Sequence, residues 1–254
     1  MLFRSNPLIA LVAELVRQFE PFAPAMIGEV MGLQPRGELL PPNHPLFART
    51  ALAAQTFGLP PFRVHFDPEA AVVSFVAGDG GVSLLVGGRL ANAAGPARVA
   101  FDAARLFSFV VEHQTLAAVT DVNALAAILS SLSPTVRAPE LEKVKTRLGR
   151  VLPRKTRKEL ERLVADPSVL NATPAYWADV QRRADRAALL VTGDPVTAMM
   201  ALAGSGDINV IRRSARCHDL MTWLLADEAW TVLAAFARST SASGSSPLPP
   251  PRRQ

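Results

Sequence analysis

The sequence is poor in the residues that form covalent cross-links and metal sites. Its 254 residues include one cysteine, Cys217, and four histidines. A single cysteine excludes an internal disulfide and any zinc or iron–sulfur site that needs several thiolates. We therefore expect a reducing compartment, and cytoplasmic localisation is the simplest prediction.

Aromatic residues and long apolar runs are also scarce. The chain has one Tyr and three Trp, and with abundant Ala this composition favours helix over sheet. No stretch reaches the roughly 18 uncharged apolar residues that a membrane-spanning helix needs, and the nearest candidate, residues 187–204, is broken by Gly193-Asp194-Pro195. The apolar run from Leu8 to Ala13 is shorter than a signal peptide requires, so we expect an amphipathic helix there and no transmembrane segment.

Hydrophobic residues make up 49% of the chain, and their spacing indicates the secondary structure. Three short β segments, at 62–66, 71–76 and 82–86, are separated by turn residues. Apolar residues at helical spacing, together with helix start and stop signals, predict helices over most of the remainder. The expected fold is α+β and mostly helical, with a small three-stranded sheet packed on helices and a helical C-terminal half. The helices are expected at 8–19, 45–57, 97–113, 121–132, 139–149, 154–165, 174–192, 195–203 and 215–237.

A change of composition near residue 133 predicts the domain organisation. Ser133-Pro134 and Ala138-Pro139 separate an apolar part from a basic one. We expect residues 1–132 to hold the first helices, the sheet and the helix at 97–113. Residues 133–238 should form a helical part that packs on the first. The Ser- and Pro-rich tail, 239–254, is predicted to be disordered.

The order of elements and two short motifs resemble a known enzyme family. A helix, Gly-Leu-Pro-Pro at 58–61, three strands, Gly-Gly-x-Leu at 87–90 and a second helix are followed by Arg182-Arg183-Ala184-Asp185-Arg186. This order is similar to the catalytic core of bacterial HExxH zinc metallopeptidases of the gluzincin type, in which a Glu-Ala-Asp-Arg motif comes downstream. The resemblance covers about residues 45–203 and implies a zincin-like fold. The resemblance also implies a related, degenerate form of this domain at the C-terminal end of large bacterial tetratricopeptide-repeat proteins, and we expect this chain to be such a terminal piece.

The resemblance also implies which residues stand at the former zinc site. It puts the two histidine ligands at Ala104 and Ser108, the catalytic glutamate at Arg105 and the third ligand at Arg183. These side chains supply neither zinc ligands nor a general base. Asp185 matches a structural aspartate of the family and is expected to pair with Arg105. We thus expect no catalytic residue, no metal and no cofactor, and a structural or protein-interaction module whose partner is another protein or the rest of a larger polypeptide.

Two other functions stay open at this stage. Between Arg137 and Arg162 the chain has ten Lys or Arg against four Glu, so this basic block holds a net charge of +6 and the rest of the chain −1. The block lacks interleaved aromatics, but it is able to neutralise phosphates or an acidic protein surface, so a nucleic-acid-associated protein is the first alternative. An unrecognised hydrolase is the second, although Cys217, His218 and Asp219 diverge by about 100° each on a helix. The residues expected to contact phosphate or an acidic partner are Lys143, Lys145, Arg147, Arg154, Lys155, Arg157 and Lys158.

Overall fold

The computed structural model describes residues 6–79, 81–227 and 229–235. The chain is 68% helical and has a small mixed sheet packed against helices, which confirms the predicted α+β class. The tail predicted to be disordered, 239–254, lies outside the described residues. Among the described helices, none has the length and apolar character required to cross a membrane.

The N-terminal helix, α1, spans Pro7–Arg17 and forms as its sequence predicts. The Asn6 side chain accepts a hydrogen bond from the Leu8 amide, and Pro7 occupies the first turn, where no amide donor is needed. Its apolar stripe is fully buried at Val12, Leu15 and Val16. Three short helical turns that were not predicted continue the chain: a 3₁₀ turn (Glu20–Phe22), α2 (Ala23–Ala25) and a π-helical turn (Met26–Val30).

The sheet has four strands, so the prediction of three was wrong by one strand. The strands are β1 (Glu38–Leu39), β2 (Val64–Asp67), β3 (Val73–Gly78) and β4 (Gly81–Gly87), in the spatial order β1-β2-β4-β3. The β2–β4 pair is parallel, whereas the other two pairs are antiparallel. Strand β1 was missed because two residues are too few to show an alternating apolar pattern.

Ten more helices follow along the described chain: eight lie at or near predicted positions, whereas those at Thr115–Val119 and Ile208–Arg213 were not predicted. The helix at Pro167–Thr192, α9, begins seven residues earlier than predicted because the Asp166 side chain accepts a hydrogen bond from the Ser168 amide and Pro167 fits the first turn. The helix predicted over 215–237 is interrupted at residues 225 and 226. The helices are α3 (Pro45–Thr56), α4 (Gly88–Val111), α5 (Thr115–Val119), α6 (Val122–Leu132), α7 (Leu141–Val151), α8 (Arg154–Leu163), α9 (Pro167–Thr192), α10 (Pro195–Ala203), α11 (Ile208–Arg213) and α12 (Ala215–Leu224).

Helix α4 consists of two helical segments that meet at Gly95. Gly95 has φ 74°, a value that glycine adopts without steric penalty, and Pro96 begins the second segment. This second segment is the helix to which the resemblance assigns the active-site positions. It ends at Val111, and two residues later His113 adopts a left-handed conformation, so that the Gln114 amide donates back to the Phe109 carbonyl at 2.7 Å.

Two hydrophobic clusters form the core, and both draw on α4 and α9. The first includes Phe19, Leu148 and Tyr176 and joins α1 to α6, α7, α8 and the first half of α9. The second joins the sheet, α3, α4, the second half of α9, α10 and α12 around residues such as Phe75 and Phe107. Each cluster takes residues from both sides of position 132, and the division predicted there stays a prediction.

Candidate functional site

The positions suggested by the resemblance lie where α4 packs against α9. Arg105 of α4 donates from Nε to Asp185 Oδ1 at 2.7 Å and from Nη2 to Gln181 Oε1 at 2.6 Å. Gln181 and Asp185 are one turn apart on α9 and therefore share a face. The ion pair expected between Arg105 and Asp185 is present.

A third helix contributes to the same cluster. Arg216 of α12 donates from Nε to Asp185 Oδ2 at 3.0 Å and from Nη2 to Oδ1 at 2.5 Å. Asp185 is only 3% exposed, and a carboxylate at that depth is tolerated because two guanidinium groups compensate its charge. No sequence signal pointed to Arg216 or Gln181, since neither belongs to the motif that Asp185 resembles.

A further ion pair on α4 adjoins this cluster. Arg98 Nε contacts Asp102 Oδ2 at 2.7 Å, and both side chains are largely buried. Burial raises the pKa of Asp102, an effect that the nearby guanidinium groups of Arg98, Arg105 and Arg216 partly oppose. Burial also lowers the pKa of Arg105, which the Asp185 charge opposes most strongly. We call this set the arginine–aspartate cluster, and its members are Arg98, Asp102, Arg105, Gln181, Asp185 and Arg216.

Ala104 and Ser108, the positions assigned to the two histidine ligands, lie in the protein interior. Ala104 has no exposed surface and belongs to the second hydrophobic cluster. The Ser108 hydroxyl donates to the Arg105 carbonyl of its own helix at 2.7 Å. Neither side chain presents a free ligand atom to a metal, so these two positions serve packing in this structure.

Arg183, the position assigned to the third ligand, makes a different contact between the same helices. Its Nη1 lies 2.6 Å from Glu112 Oε2, and its Nε lies 3.3 Å from Asp179 Oδ2. Burial raises the pKa of Glu112, while Arg183 opposes that shift. Glu112 is seven residues after Arg105, which is about 10 Å along the helix. Within the described residues, no hydrogen bond or ion pair joins Arg183 to Ala104 or Ser108, so the nominated positions form two separate polar contacts.

Other groupings of reactive residues do not converge either. In the part of the chain that the structure describes, no group of three or more His, Cys, Asp or Glu residues is arranged to hold a metal ion. The buried Cys217 thiol donates to the Met199 carbonyl at 3.4 Å, His218 Nε2 contacts the Arg212 carbonyl at 2.7 Å, and Asp219 pairs with Arg186. These three neighbours thus point to different partners, as their positions on a helix predicted.

The seven residues expected to contact phosphate or an acidic partner lie on α7 and α8. Two of them make contacts within the protein, and five are exposed. Arg147 donates to the Val30 carbonyl at 3.0 Å, and Arg157 lies 3.8 Å from Glu161 and against Gly149, so both hold the helices in place. The other five are exposed, and within the described residues they form no ion pair with a carboxylate. These five are Lys143, Lys145, Arg154, Lys155 and Lys158.

One face of α8 carries four exposed cations, which we call the α8 basic face: Arg154, Lys155, Lys158 and Arg162. Their sequence offsets of one, four and eight place them within an arc of about 100°. The opposite face is buried through Leu160, and Val164 just after the helix is buried as well. The first turn of α8 has no acidic residue, and Pro153 before it provides no side-chain cap.

The last helices expose apolar side chains in helical pairs. Val196 and Met200 are one turn apart on α10 and are 68% and 42% exposed. Met221 and Leu225 have the same spacing at α12 and are 44% and 78% exposed. Helix α11, which contacts both α10 and α12, exposes Ile208. We call these five residues the C-terminal apolar surface.

Comparison with known proteins identified no protein similar to this chain. No protein-family model matches the chain, and no match is found among curated proteins or solved structures. The resemblance to zinc metallopeptidases therefore rests on the motif order in the sequence, and the chemistry of the chain has to be argued from its own residues.

Proposed function

We propose that this chain is a non-catalytic, metallopeptidase-like domain that acts as a structural or protein-interaction module of a larger bacterial protein. The observation that carries the proposal is the ion pair between Arg105 and Asp185. It lies at the α4–α9 interface, on the two residues to which the resemblance assigns the catalytic glutamate and the structural aspartate. The buried and free Cys217 fits the cytoplasmic location that we propose with it.

The chemistry of the interface supports a loss of metal binding. A hydrolytic zinc site needs three protein ligands, an open water position and a carboxylate base. Here a methyl group, a hydroxyl bonded within its own helix and a guanidinium stand at the assigned positions. Both oxygens of Asp185 already accept hydrogen bonds from arginines, and a guanidinium repels a cation. Ion pairs therefore hold α4, α9 and α12 together in the region to which the resemblance assigns the metal.

The C-terminal apolar surface supports the protein-interaction part of the proposal. Exposed apolar patches commonly mark a site that a partner covers, and these five side chains lie on three helices that contact one another. Apolar anchors and Met residues are also enriched at the centres of protein interfaces. We propose that a protein surface with complementary apolar residues covers these helices.

Metal analysis combined with a peptidase assay tests the loss of catalysis. We expect elemental analysis of protein purified without chelators to find zinc well below stoichiometry, and a mixed peptide library to stay uncleaved. Stoichiometric zinc together with cleavage that a chelator abolishes and added zinc restores would contradict the proposal.

A designed zinc site tests the metallopeptidase likeness itself. If positions 108 and 183 correspond to two ligand positions of one metal, the double variant Ser108→His/Arg183→Glu should bind zinc with the help of Glu112, which is one turn from position 108. The matched control is Ser108→His/Arg182→Glu, in which the new carboxylate is on the neighbouring, exposed residue. We expect calorimetry to show zinc binding at least about tenfold tighter in the first variant, as one additional properly placed ligand would give. Equal affinities in two folded variants would argue against the likeness.

Site-specific cross-linking tests the interaction surface. A photoreactive residue at position 221 should capture a partner that the same residue at the exposed Arg49 does not. The captured protein is then identified, purified and measured for direct binding. We expect Met221→Glu to weaken that binding by about tenfold or more, because a carboxylate would be buried at an apolar contact. Unchanged binding would remove this surface from the proposal.

A further inference from the structure

We infer that the α8 basic face binds the phosphate backbone of a duplex nucleic acid. This is a second function, separate from the module proposed above. It depends on residues of α8 that do not contribute to the arginine–aspartate cluster or to the C-terminal apolar surface.

The first step of the argument is the arrangement of charge. The four cations of the face point into solvent along one stripe of the helix, and in the described part of the chain none of them forms an ion pair. Lys143, Lys145 and Arg150, exposed on the preceding helix, add cations nearby in the sequence. The groups are thus available to a polyanion without first breaking internal contacts. Phosphate contacts by Lys and Arg supply most of the sequence-independent affinity for nucleic acids.

The second step is that this arrangement is unfavourable for the helix that carries it. The N-terminus of a helix bears a partial positive charge, which disfavours Arg and Lys in the first turn. Helix α8 nevertheless begins with Arg154 and Lys155, and it has neither an acid in the first turn nor a capping side chain. A sequence that breaks a local stability rule commonly does so at a functional site. The positive helix terminus and the cations together strengthen the attraction for an anion.

The third step is that membranes, protein interfaces and single-stranded nucleic acids fit this face less well than a duplex does. The apolar side of α8 is buried through Leu160, so no apolar wedge is left to enter a bilayer. The exposed face contains no aromatic or large aliphatic anchor of the kind that protein interfaces use. The absence of aromatics from the face also disfavours single strands, whose bases need stacking platforms. A duplex, which offers phosphates at regular intervals and no unstacked bases, fits best.

Fluorescence anisotropy with a labelled duplex of about 30 base pairs tests the inference on the full chain. If the four cations contact four phosphates, the logarithm of the association constant should fall with the logarithm of salt concentration with a slope of about −4. That slope corresponds to about a 250-fold loss of affinity between roughly 50 and 200 mM salt. Absence of binding at about 50 mM salt would overturn the inference.

A quadruple variant and a matched control separate the face from the overall charge. In the first variant Arg154, Lys155, Lys158 and Arg162 all become Gln, which retains helix propensity. In the control, four exposed arginines elsewhere become Gln, so the net charge is the same: Arg36, Arg49, Arg212 and Arg213. We expect the first variant to lose more than about tenfold in affinity and most of its salt dependence, and the control to stay within about twofold of wild type. Equal losses in the two variants would overturn the inference.

The melting temperature and two alternative probes complete the test. The first variant should melt near or above the wild-type temperature, because two unfavourable charges leave the first turn of α8 while one favourable charge leaves the last turn. If it melts lower and also loses binding, the single substitutions Lys155→Gln and Lys158→Gln, which leave the last turn unchanged, should each weaken binding at the wild-type melting temperature. Unchanged binding in both single variants would overturn the inference. Two alternative probes are tested with the same proteins: vesicles that contain phosphatidylserine, and poly-glutamate in solution. Binding of either probe as tightly as the duplex, with the same dependence on the four residues, would assign the face to membranes or to acidic proteins and overturn the inference.

Discussion

Two regions of the molecule carry concentrated charge, and they hold it differently. At the α4–α9 interface every charged group of the arginine–aspartate cluster has a partner at hydrogen-bond distance. On the α8 basic face the charges are exposed, and among the described residues they have no ionic partner. Buried charge needs internal compensation because desolvation is costly, whereas exposed charge is compensated by water and ions. The first arrangement is suited to holding helices together, and the second to binding a ligand from solution.

The largest loss of stability is expected when the buried arginines lose their counter-charge. Asp185→Asn leaves Arg105 and Arg216 without their counter-charge, and we expect a loss of about 3 kcal/mol in the free energy of unfolding. The control is Asp179→Asn, whose partners are at the surface and whose loss should stay below about 1 kcal/mol. Chemical denaturation of both variants measures the difference. If Asp185→Asn costs no more than Asp179→Asn, the cluster does not hold the helices together and the comparison fails.

A second effect concerns the pH dependence of the buried region. Burial raises the pKa of Asp102 above its ordinary value of 3.8. A carboxyl group with a higher pKa in the folded than in the unfolded chain binds a proton more tightly when folded. Its contribution to stability is therefore greatest below pH 3.8 and declines as the pH rises from there through the folded pKa.

Asp102→Asn removes this decline, so the melting temperature of the variant should rise relative to wild type as the pH rises through that window. Asp194→Asn is the control of opposite sign. Hydrogen bonds from Thr197 lower the pKa of Asp194, so its contribution is present above pH 3.8 and is lost as the pH falls through the folded pKa. For this variant the melting temperature should fall relative to wild type with rising pH. If the melting temperatures of both variants change in the same direction relative to wild type as the pH rises, burial does not govern the pKa of Asp102.

The sequence revealed the exposed region more completely than the buried one, for a physical reason. Exposure and charge on α8 follow from residue type and helical spacing, which are local properties. The partners within the interior depend on which helices meet and in which register. Motif order anticipated the contact between Arg105 and Asp185, but Arg216 is 31 residues from Asp185 and no local pattern connects the two.

Two further residues show the same limit. Arg147 was expected to face an external anion, yet it donates to the Val30 carbonyl, 117 residues away in the sequence. Arg183 was placed by the resemblance with Ala104 and Ser108, yet its ion pair is with Glu112. In both cases a long side chain finds a partner that only the packing of distant helices brings near. Most helices and three of the four strands, by contrast, follow from apolar periodicity and capping residues.

The smallest effect sharpens the distinction between stability and binding on α8. Arg154→Glu places an acid at the positive helix terminus and should stabilise the chain by about 0.3–1 kcal/mol, whereas Arg162→Glu removes a cation from the last turn and should destabilise it by a similar amount. Both substitutions change the same face by two charge units, so both should weaken duplex binding and reduce its salt dependence. Chemical denaturation should therefore show stability changing in opposite directions in the two variants. Fluorescence anisotropy should show duplex affinity falling in both. Binding that follows stability instead would mean that unfolding, and not loss of a phosphate contact, explains the weakened variants.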